Sequence, residues 1–241
     1  MPEPLLALAG VNTHIGQYHI LHGVDFEVPR GSLTMLLGRN GAGKTTCLRT
    51  IMGLWRASAG SIRMEGRDIT RAATPDVAQM GIAYVPENMG IFAGLTVREN
   101  LLLAARSGEP DGARLAWIFG LFPAMQKFWN ALAGNLSGGQ KQMLAIARAI
   151  VEPRKLLLVD EPTKGLAPSI IANMVEAFRE LKRTDTTILV VEQNFNFARS
   201  LGDAVAVMDA GRIVHTGSMD GLAADAALQT RLLGLSLDSH Q

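Results

Sequence analysis

The stretch LTMLLGRNGAGKTTCLRTI, residues 33 to 51, decides the fold of this chain. An apolar run, Leu33–Leu37, precedes a glycine-rich turn, and a helical pattern running into Leu48 and Ile51 follows it. The turn matches G-x-x-x-x-G-K-[ST], a phosphate-binding pattern that requires a strand before it and a helix after it. This context favours a phosphate-binding loop over a glycine-rich turn that binds nothing. The candidate nucleotide-binding residues here are Gly38, Arg39, Asn40, Gly41, Ala42, Gly43, Lys44, Thr45 and Thr46.

The chemistry of this loop predicts a bound nucleotide with a magnesium ion. Glycines allow backbone N–H groups to converge on phosphate oxygens at the N-terminus of a helix. We expect the ammonium group of Lys44 to reach the β and γ phosphates, and the hydroxyl of Thr45 to ligate Mg²⁺. Lys44 is therefore a candidate catalytic residue as well as a binding residue.

Two further apolar runs predict buried strands of a parallel sheet. Leu156–Val159 and Ile188–Val191 are too short for helices, and their unbroken apolar character is typical of strands buried on both faces. A helical pattern lies between them and starts near Pro168 and Ser169. This strand–helix–strand unit indicates an α/β core. The apolar stripe of the helix consists of Ile171, Met174, Val175, Phe178 and Leu181.

Antiparallel strands are expected beside this parallel core. Ala204–Met208 and Arg212–His215 flank a short turn that ends in Gly211, a pattern typical of a hairpin. Near the N-terminus, charged residues alternate with apolar ones in the manner of a strand with one buried face. The alternating apolar residues are Val24, Phe26 and Val28.

A helical segment interrupts the pattern of strands. From about Thr96 to Asn135 the sequence shows helical patterns at Val97–Arg106 and Leu115–Phe122. With the preceding loop and the helix that follows residue 137, this predicts a helical subdomain over about residues 88–150. We expect it to be inserted into a single domain that covers residues 1–241.

The composition excludes several classes of protein. The 241 residues are 48% hydrophobic and 19% charged, which rules out disorder as the dominant state. The 23 basic residues nearly balance the 22 acidic ones and aromatics make up only 5%, so nucleic acid is not expected as a partner. A single cysteine, Cys47, excludes an intramolecular disulfide and is expected to pack as a small apolar residue. No apolar run approaches the roughly 18 residues of a membrane span, and we expect a soluble chain.

Two adjacent carboxylates follow the strand at Leu156–Val159. They are Asp160 and Glu161, at the strand end where open α/β sheets bind their ligands. Because neighbouring side chains on a strand point in opposite directions, we expect the two carboxylates to have different roles. Asp160 would hold the Mg²⁺ shell, and Glu161 would orient or deprotonate the attacking water. Taken alone the pair could be a solvated strand end, but the phosphate-binding loop favours catalysis.

The sequence LSGGQ at Leu136–Gln140 precedes another helix. Ser137 can cap this helix, and Gly138 with Gly139 leaves its N-terminus open to an anion. From the residues alone, an ordinary capped helix start is the better interpretation.

The order and spacing of these motifs resemble the nucleotide-binding subunits of ATP-binding cassette (ABC) transporters. The resemblance runs from about Leu6 to Gly234 and implies a P-loop NTPase fold, with a RecA-like parallel sheet core, an N-terminal antiparallel β subdomain and an inserted α-helical subdomain. It implies ATP and Mg²⁺ as cofactors. It also implies a head-to-tail dimer in which the signature of one subunit covers the ATP of the other. The signature residues are Ser137, Gly138, Gly139 and Gln140.

Within this family, several segments are similar to the branched-chain amino-acid uptake ATPases of the LivF type. Gln193 stands where most ABC ATPases have a switch histidine, and Glu87 stands where most have a glutamine; both replacements are familiar in this branch. Gln193 can hydrogen-bond a γ-phosphate but cannot gain a proton near neutral pH, which favours a positioning role. Glu87 brings a negative charge near the metal and water site and to the start of the helical insert. We expect it to contribute to the metal shell, and its placement also suits a sensor of the transmembrane partner. The similar segments include Tyr84–Glu87, Leu95–Leu101, Gln142–Ala149, Gly165–Pro168 and Val191–Asn194.

Some positions depart from the family pattern. Ile15 occupies the place of the aromatic residue that usually stacks on adenine, and His14 and Tyr18 are the nearby alternatives. The resemblance also implies that the region after Glu87 faces membrane subunits. Side chains of that region are either permease contacts or, as we favour, apolar core. They are Phe92, Phe128 and Trp129.

Together these features predict an ATPase at the cytoplasmic face of the inner membrane that powers a bacterial importer, with branched-chain or related amino acids as the solute. Its partners would be a second ABC ATPase, identical or related, and two transmembrane permease subunits, with a solute-binding protein acting indirectly. The alternative is a soluble ABC-type ATPase that serves as an assembly or regulatory module without transport.

Overall fold

The computed structural model describes residues 3–105 and 108–234. The strands are numbered along the chain. They are β1 (Leu6–Ile15), β2 (Tyr18–Val28), β3 (Leu33–Leu37), β4 (Ala57–Met64), β5 (Arg67–Asp68), β6 (Ile82–Val85), β7 (Leu156–Asp160), β8 (Thr187–Glu192), β9 (Ala204–Asp209) and β10 (Arg212–Ser218).

The α-helices follow the same convention, and a short 3₁₀-helix covers Ala133–Asn135. They are α1 (Lys44–Ile51), α2 (Thr74–Gln79), α3 (Val97–Leu102), α4 (Gly112–Leu121), α5 (Pro123–Lys127), α6 (Gly138–Ile150), α7 (Pro168–Lys182), α8 (Phe195–Leu201), α9 (Met219–Ala224) and α10 (Ala226–Leu233). None of the described helices is long and apolar enough to cross a membrane.

A six-stranded sheet forms the centre of the molecule, in the order β10-β9-β3-β8-β7-β6. Strands β9, β3, β8, β7 and β6 are parallel to one another, and only the edge strand β10 is antiparallel. The predicted strand at Leu33–Leu37 is confirmed, and the next two predicted strands are one or two residues longer than expected. The predicted hairpin of β9 and β10 is confirmed as well.

A second sheet, in the order β2-β1-β4-β5, is wholly antiparallel. Strands β1 and β2 are joined by a two-residue turn in which Gly16 has a φ of 59°, a conformation that glycine adopts without strain. This sheet confirms the predicted antiparallel region near the N-terminus. The two sheets together confirm the predicted fold class.

The central sheet is buried on both faces, as its apolar strands require. Along β3, Leu33, Met35 and Leu37 pack in one apolar cluster with α3 to α8, whereas Leu36 packs in a second cluster with α1 and the antiparallel sheet. Burying each such side chain contributes roughly 1.5–3 kcal/mol. The clusters therefore hold the carboxyl ends of β3, β7 and β8 at one edge.

The helices of residues 97–150 differ in their bounds from the predicted ones. Helix α3 ends at Leu102 and is followed by a turn at residues 103–104. Arg106, the predicted end of this helix, lies outside the described residues. Helix α4 begins three residues earlier than predicted because Asp111 caps it by accepting a hydrogen bond from the N–H of Arg114. The predicted helix at Pro168 is confirmed as α7.

Candidate functional site

The glycine-rich loop connects β3 to α1 at the carboxyl edge of the central sheet. Gly38 passes so close to the chain that a Cβ there would lie 2.2 Å from the carbonyl oxygen of Met208, so a side chain is excluded. Gly43 caps α1 with a φ of 105°, a left-handed value that disfavours other residues. A cavity of about 660 Å³ lies on the loop and is lined also by Gln193 and Asp209.

Lys44 lies at the first position of α1 and is buried, with 4% of its side chain exposed. Its ammonium group donates hydrogen bonds to the carbonyls of Gly38, at 2.8 Å, and Arg39, at 3.1 Å. It also lies 3.4 Å from Oε1 of Glu161. The structure therefore joins the predicted loop lysine to the predicted catalytic carboxylate.

Asp160 ends β7 and is fully buried. The hydroxyl of Thr45 donates to its Oδ1 at 3.0 Å, and the hydroxyl of Tyr84 donates to its Oδ2 at 3.1 Å. Burial raises the pKa of Asp160, and the two hydrogen bonds oppose that effect. Tyr84 was not among the residues predicted for the site, although its place at the end of β6, next to β7, positions it there.

Thr45 and Asp160 suit a magnesium ion, because hydroxyl and carboxylate oxygens are hard ligands. Within residues 3–105 and 108–234, no three Cys, His, Asp or Glu side chains are grouped closely enough to hold a metal by themselves. Mg²⁺ commonly takes one or two protein ligands and completes its shell with substrate phosphates and water. The residues therefore fit a metal that binds together with a nucleotide.

Glu161 lies one residue beyond the end of β7. The expectation that strand alternation points it away from Asp160 is therefore wrong. Its φ of 47° is in the left-handed region, an uncommon conformation for a residue that precedes proline. Its N–H donates to the carbonyl of Val191 at 2.9 Å. The backbone turn at Glu161, and not strand alternation, separates its carboxylate from that of Asp160.

Gln193 follows β8 and bridges the loop to the carboxylate. Its Nε2 donates to Oδ1 of Asn40 at 2.6 Å and to Oε1 of Glu161 at 2.7 Å. The preceding residue, Glu192, is buried, and its Oε2 accepts from the N–H groups of Gln193 and Asn194. These bonds fix the backbone from which the amide of Gln193 extends.

Glu87 lies near the site but is bound to a lysine that the sequence analysis missed. Nζ of Lys164 is 2.5 Å from Oε1 of Glu87 and 3.6 Å from Oε2 of Glu161. The contribution of Glu87 to a metal shell stays a prediction. A clue was present in the sequence, because Lys164 follows Glu161 by three residues and is therefore a cation close to the carboxylates of Asp160 and Glu161.

The signature segment forms a capped helix start, as predicted. Oγ of Ser137 accepts from the N–H of Gln140 at 3.3 Å, and Oε1 of Gln140 accepts from the N–H of Ser137 at 2.9 Å. This reciprocal capping box was readable from the S-x-x-Q spacing. A Cβ on Gly139 would lie 2.6 Å from Ile170, so the helix packs closely there. Within the described part of the chain, no hydrogen bond joins this segment to the glycine-rich loop.

The three alternatives for stacking on adenine lie at the β1–β2 turn. The ring of His14 stacks on that of His19, with centroids 4.1 Å apart, and the ring of His19 lies 3.9 Å from that of His22. The N–H of His22 donates to Gly211, whose own N–H donates to Ala42 of the loop. Ile15 is partly buried and Tyr18 is largely exposed. The choice among the three stays open.

The weaker predictions have mixed outcomes. Cys47 is fully buried, and burial raises the pKa of its thiol to about 12, so the packing role is confirmed. Phe128 and Trp129 pack against the apolar core as expected. Phe92 is exposed, which makes the core prediction wrong for this residue, and the guanidinium of Arg148 lies over its ring at 4.8 Å.

Comparison with known proteins assigns the chain to a family. The family model described as "ABC transporter" matches residues 21–164, which include the glycine-rich loop, the signature and Asp160–Glu161. The chain belongs to the ABC transporter family. This ABC protein is an ATPase subunit of a transporter, and it acts by hydrolysing ATP.

Two relatives are similar to this chain over nearly their whole length. The high-affinity branched-chain amino acid transport ATP-binding protein BraG of Pseudomonas aeruginosa is 38% identical over 95% of this chain and 100% of its own. A probable branched-chain amino acid transport ATP-binding protein, LivF of Archaeoglobus fulgidus, is 33% identical over 96% of this chain and 99% of its own. These similarities confirm the predicted resemblance.

Solved structures share the fold. The ATP-binding cassette MJ1267 of an ABC transporter superposes with a TM-score of 0.82 at 25% identity, over 97% of this chain and 100% of its own. The ATP-binding subunit of another ABC transporter gives a TM-score of 0.79 at 29% identity, over 97% of this chain and 96% of its own. The P-loop NTPase architecture of this ATPase is thus that of known cassettes.

Proposed function

We propose that this ATPase powers a bacterial importer for branched-chain or related amino acids. The observation that carries the catalytic part is the position of Glu161, whose carboxylate lies beside both Lys44 and Gln193 at the end of the glycine-rich loop. The names of BraG and LivF support the class of solute. Selectivity itself would lie in other chains of the importer.

ATP binding would begin at the loop. Backbone N–H groups of residues 38–46 and the N-terminus of α1 would receive the phosphates, while Lys44 would exchange its bonds to Gly38 and Arg39 for phosphate oxygens. Thr45 and Asp160 would hold Mg²⁺, with Glu87 as a further predicted ligand. The metal ion would neutralise charge on the β and γ phosphates.

Hydrolysis would follow from Glu161 and Gln193. The carboxylate of Glu161 accepts a proton from water as the water oxygen attacks the γ-phosphorus, and the bond to ADP breaks. The amide of Gln193 keeps the carboxylate in place and can donate to a phosphate oxygen. Because an amide does not titrate near neutral pH, Gln193 positions groups and transfers no proton.

The site would be completed by a second ATPase in a head-to-tail dimer. The N-terminus of α6 carries Ser137, Gly138, Gly139 and Gln140, and the exposure of Ser137 and Gly138 makes it suited to an anion that comes from outside this subunit. The partner subunit would be identical or related. Two transmembrane permease subunits and, indirectly, a solute-binding protein would complete the importer.

Permease docking would use a groove of about 750 Å³ beside β6. Its lining combines apolar side chains such as the half-exposed Leu54 with the guanidinium groups of Arg49 and Arg148. Such a surface suits an amphipathic segment that carries an acidic residue. Docking there would hold the ATPase at the cytoplasmic face of the inner membrane.

Purification of the native membrane complex through this chain tests the proposal. We expect two permease subunits in the complex, an amino acid on its solute-binding protein, and ATP hydrolysis that solute-loaded receptor stimulates. Lys44→Ala should abolish the hydrolysis, whereas Lys155→Ala, at an exposed lysine remote from the loop, should not. An active chain that associates with no membrane protein would support the soluble assembly module instead.

A further inference from the structure

Lys164 contacts two carboxylates that belong to different parts of the chain. Its Nζ is 2.5 Å from Oε1 of Glu87, which follows β6, and 3.6 Å from Oε2 of Glu161, which follows β7. The other oxygen of Glu161, Oε1, faces Lys44 at 3.4 Å. The carboxylate of Glu161 therefore lies between two ammonium groups, one buried and one exposed.

The backbone that carries Lys164 is firmly anchored. Both the N–H and the hydroxyl of Thr163 donate to Oε1 of the buried Glu192, at 3.0 and 2.6 Å. The N–H of Lys164 donates to the carbonyl of Glu161 at 3.2 Å. The same Glu192 holds the backbone of Gln193 through its other oxygen. Lys164, Glu161 and Gln193 thus extend from one hydrogen-bonded framework, while Glu87 belongs to another segment.

We propose that Lys164 is a positioning residue that orients Glu161 for catalysis and transmits the placement of Glu87 to it. Glu87 begins the segment that leads from β6 towards α3, so a displacement of that segment moves the strongest partner of Lys164. Lys164 then changes its distance to Oε2 of Glu161. This inference rests on the proposed ATPase mechanism and adds to it a charged link between two segments.

Exposed ion pairs contribute little to stability, so a structural role and a positioning role make different predictions. Lys164→Met should lower kcat about 10-fold, because a misplaced base slows the chemical step but leaves the binding of ATP unchanged. KM for ATP and the Tm should stay near those of the wild type. Lys164→Arg, which keeps the charge, should recover most of kcat. Lys155→Met is the matched control, since Lys155 forms a similarly exposed pair with Glu65 at 2.6 Å, remote from the site.

A double-mutant cycle with Glu87→Gln tests the link itself. If Lys164 transmits the placement of Glu87, the effect of Glu87→Gln on kcat should be clearly smaller in the Lys164→Met background than in the wild type, and any part that remains would reflect the predicted role of Glu87 in the metal shell. Effects of the two changes that multiply would show that Glu87 and Lys164 act independently and would overturn the proposal. A kcat of Lys164→Met equal to that of an active wild type would also overturn the proposal. An inactive wild type would contradict the proposed function rather than the role of Lys164.

Discussion

The side-chain amide of Gln193 donates a hydrogen bond to the carboxylate of Glu161 at 2.7 Å, although 31 residues separate them in the chain. The bond crosses from the end of β8 to the end of β7, which are adjacent parallel strands. A histidine at this place could donate or accept according to its protonation, whereas the amide offers fixed donors. In the proposed mechanism, proton transfer would therefore belong to Glu161 and positioning to Gln193.

Gln193→Ala should slow hydrolysis by about 10-fold or more, because Glu161 and the phosphate lose a common donor. Residue 193 of the wild type should contribute no rise or fall of the rate near pH 6.5, the ordinary pKa of histidine. Gln193→His should introduce such a rise or fall, since it places a titrating ring there. Steady-state rates from pH 5.5 to 8.5 provide the measurement. A wild-type rate in Gln193→Ala would contradict the proposed positioning role of this residue.

Ser137→Arg should remove turnover while the isolated subunit still binds ATP, because the signature is proposed to act on the nucleotide of a partner. The change also removes the N-cap of α6, which costs about 1 kcal/mol. Ser218→Ala, which removes the cap of α9 far from the signature, controls for that loss. Calorimetric titration and turnover are the two measurements. Loss of ATP binding in a folded Ser137→Arg subunit would contradict the dimer proposal.

The pKa of Asp160 sets a pH dependence of stability. Because burial raises this pKa in the folded state, the folded chain binds the proton more tightly than the unfolded chain does. The free energy of unfolding without Mg²⁺ should therefore fall as pH rises from 3.8, the ordinary value, through the folded-state pKa. Asp160→Asn should be more stable than the wild type at pH 7, and the difference should shrink in acid.

Urea unfolding between pH 4 and 8 measures this difference. Asp185→Asn, at an exposed residue before β8, is the control for the removal of a carboxylate outside the site. Since the carboxylate is needed for the metal, Asp160→Asn should also lose the stabilisation that Mg²⁺ and ATP give to the wild type. If the free energy of unfolding depends on pH equally in the wild type and in Asp160→Asn, burial of the Asp160 carboxylate carries no cost.

Cys47 should resist thiol reagents in the folded chain. It is fully buried, and a pKa of about 12 leaves almost no thiolate at pH 8. We expect maleimide labelling to be negligible in buffer and complete in urea, as measured by mass spectrometry. Rapid labelling of the folded chain would mean that α1 opens locally.

The sequence predicts the local features of the site better than it predicts contacts between segments that are distant in the sequence. The glycine-rich loop, the strand at Leu33–Leu37 and the cap at Ser137 follow from short-range patterns, and the structure confirms them. The pairing of Glu87 with Lys164 depends on β6 lying beside β7, a register that no local pattern encodes. The left-handed turn at Glu161 was also hidden, because a residue before proline normally adopts an extended conformation.

Glu161→Gln gives the sharpest prediction, because it keeps the shape of the side chain while it removes the base and the negative charge that faces Lys44 and Lys164. The amide oxygen can still accept from Gln193, so the geometry should survive. Hydrolysis should fall by about 10²- to 10⁴-fold while binding of ATP and Mg²⁺ persists.

Binding without turnover should hold the dimer closed. With ATP the variant should elute as a dimer in gel filtration, whereas the wild type hydrolyses its ATP and returns to monomer. If the native partner is a related ATPase, the experiment requires that chain, since a homodimer of this subunit would then be weak. A variant that hydrolyses ATP at the wild-type rate would exclude Glu161 as the base and leave Asp160 or Glu87 as the carboxylate to change next.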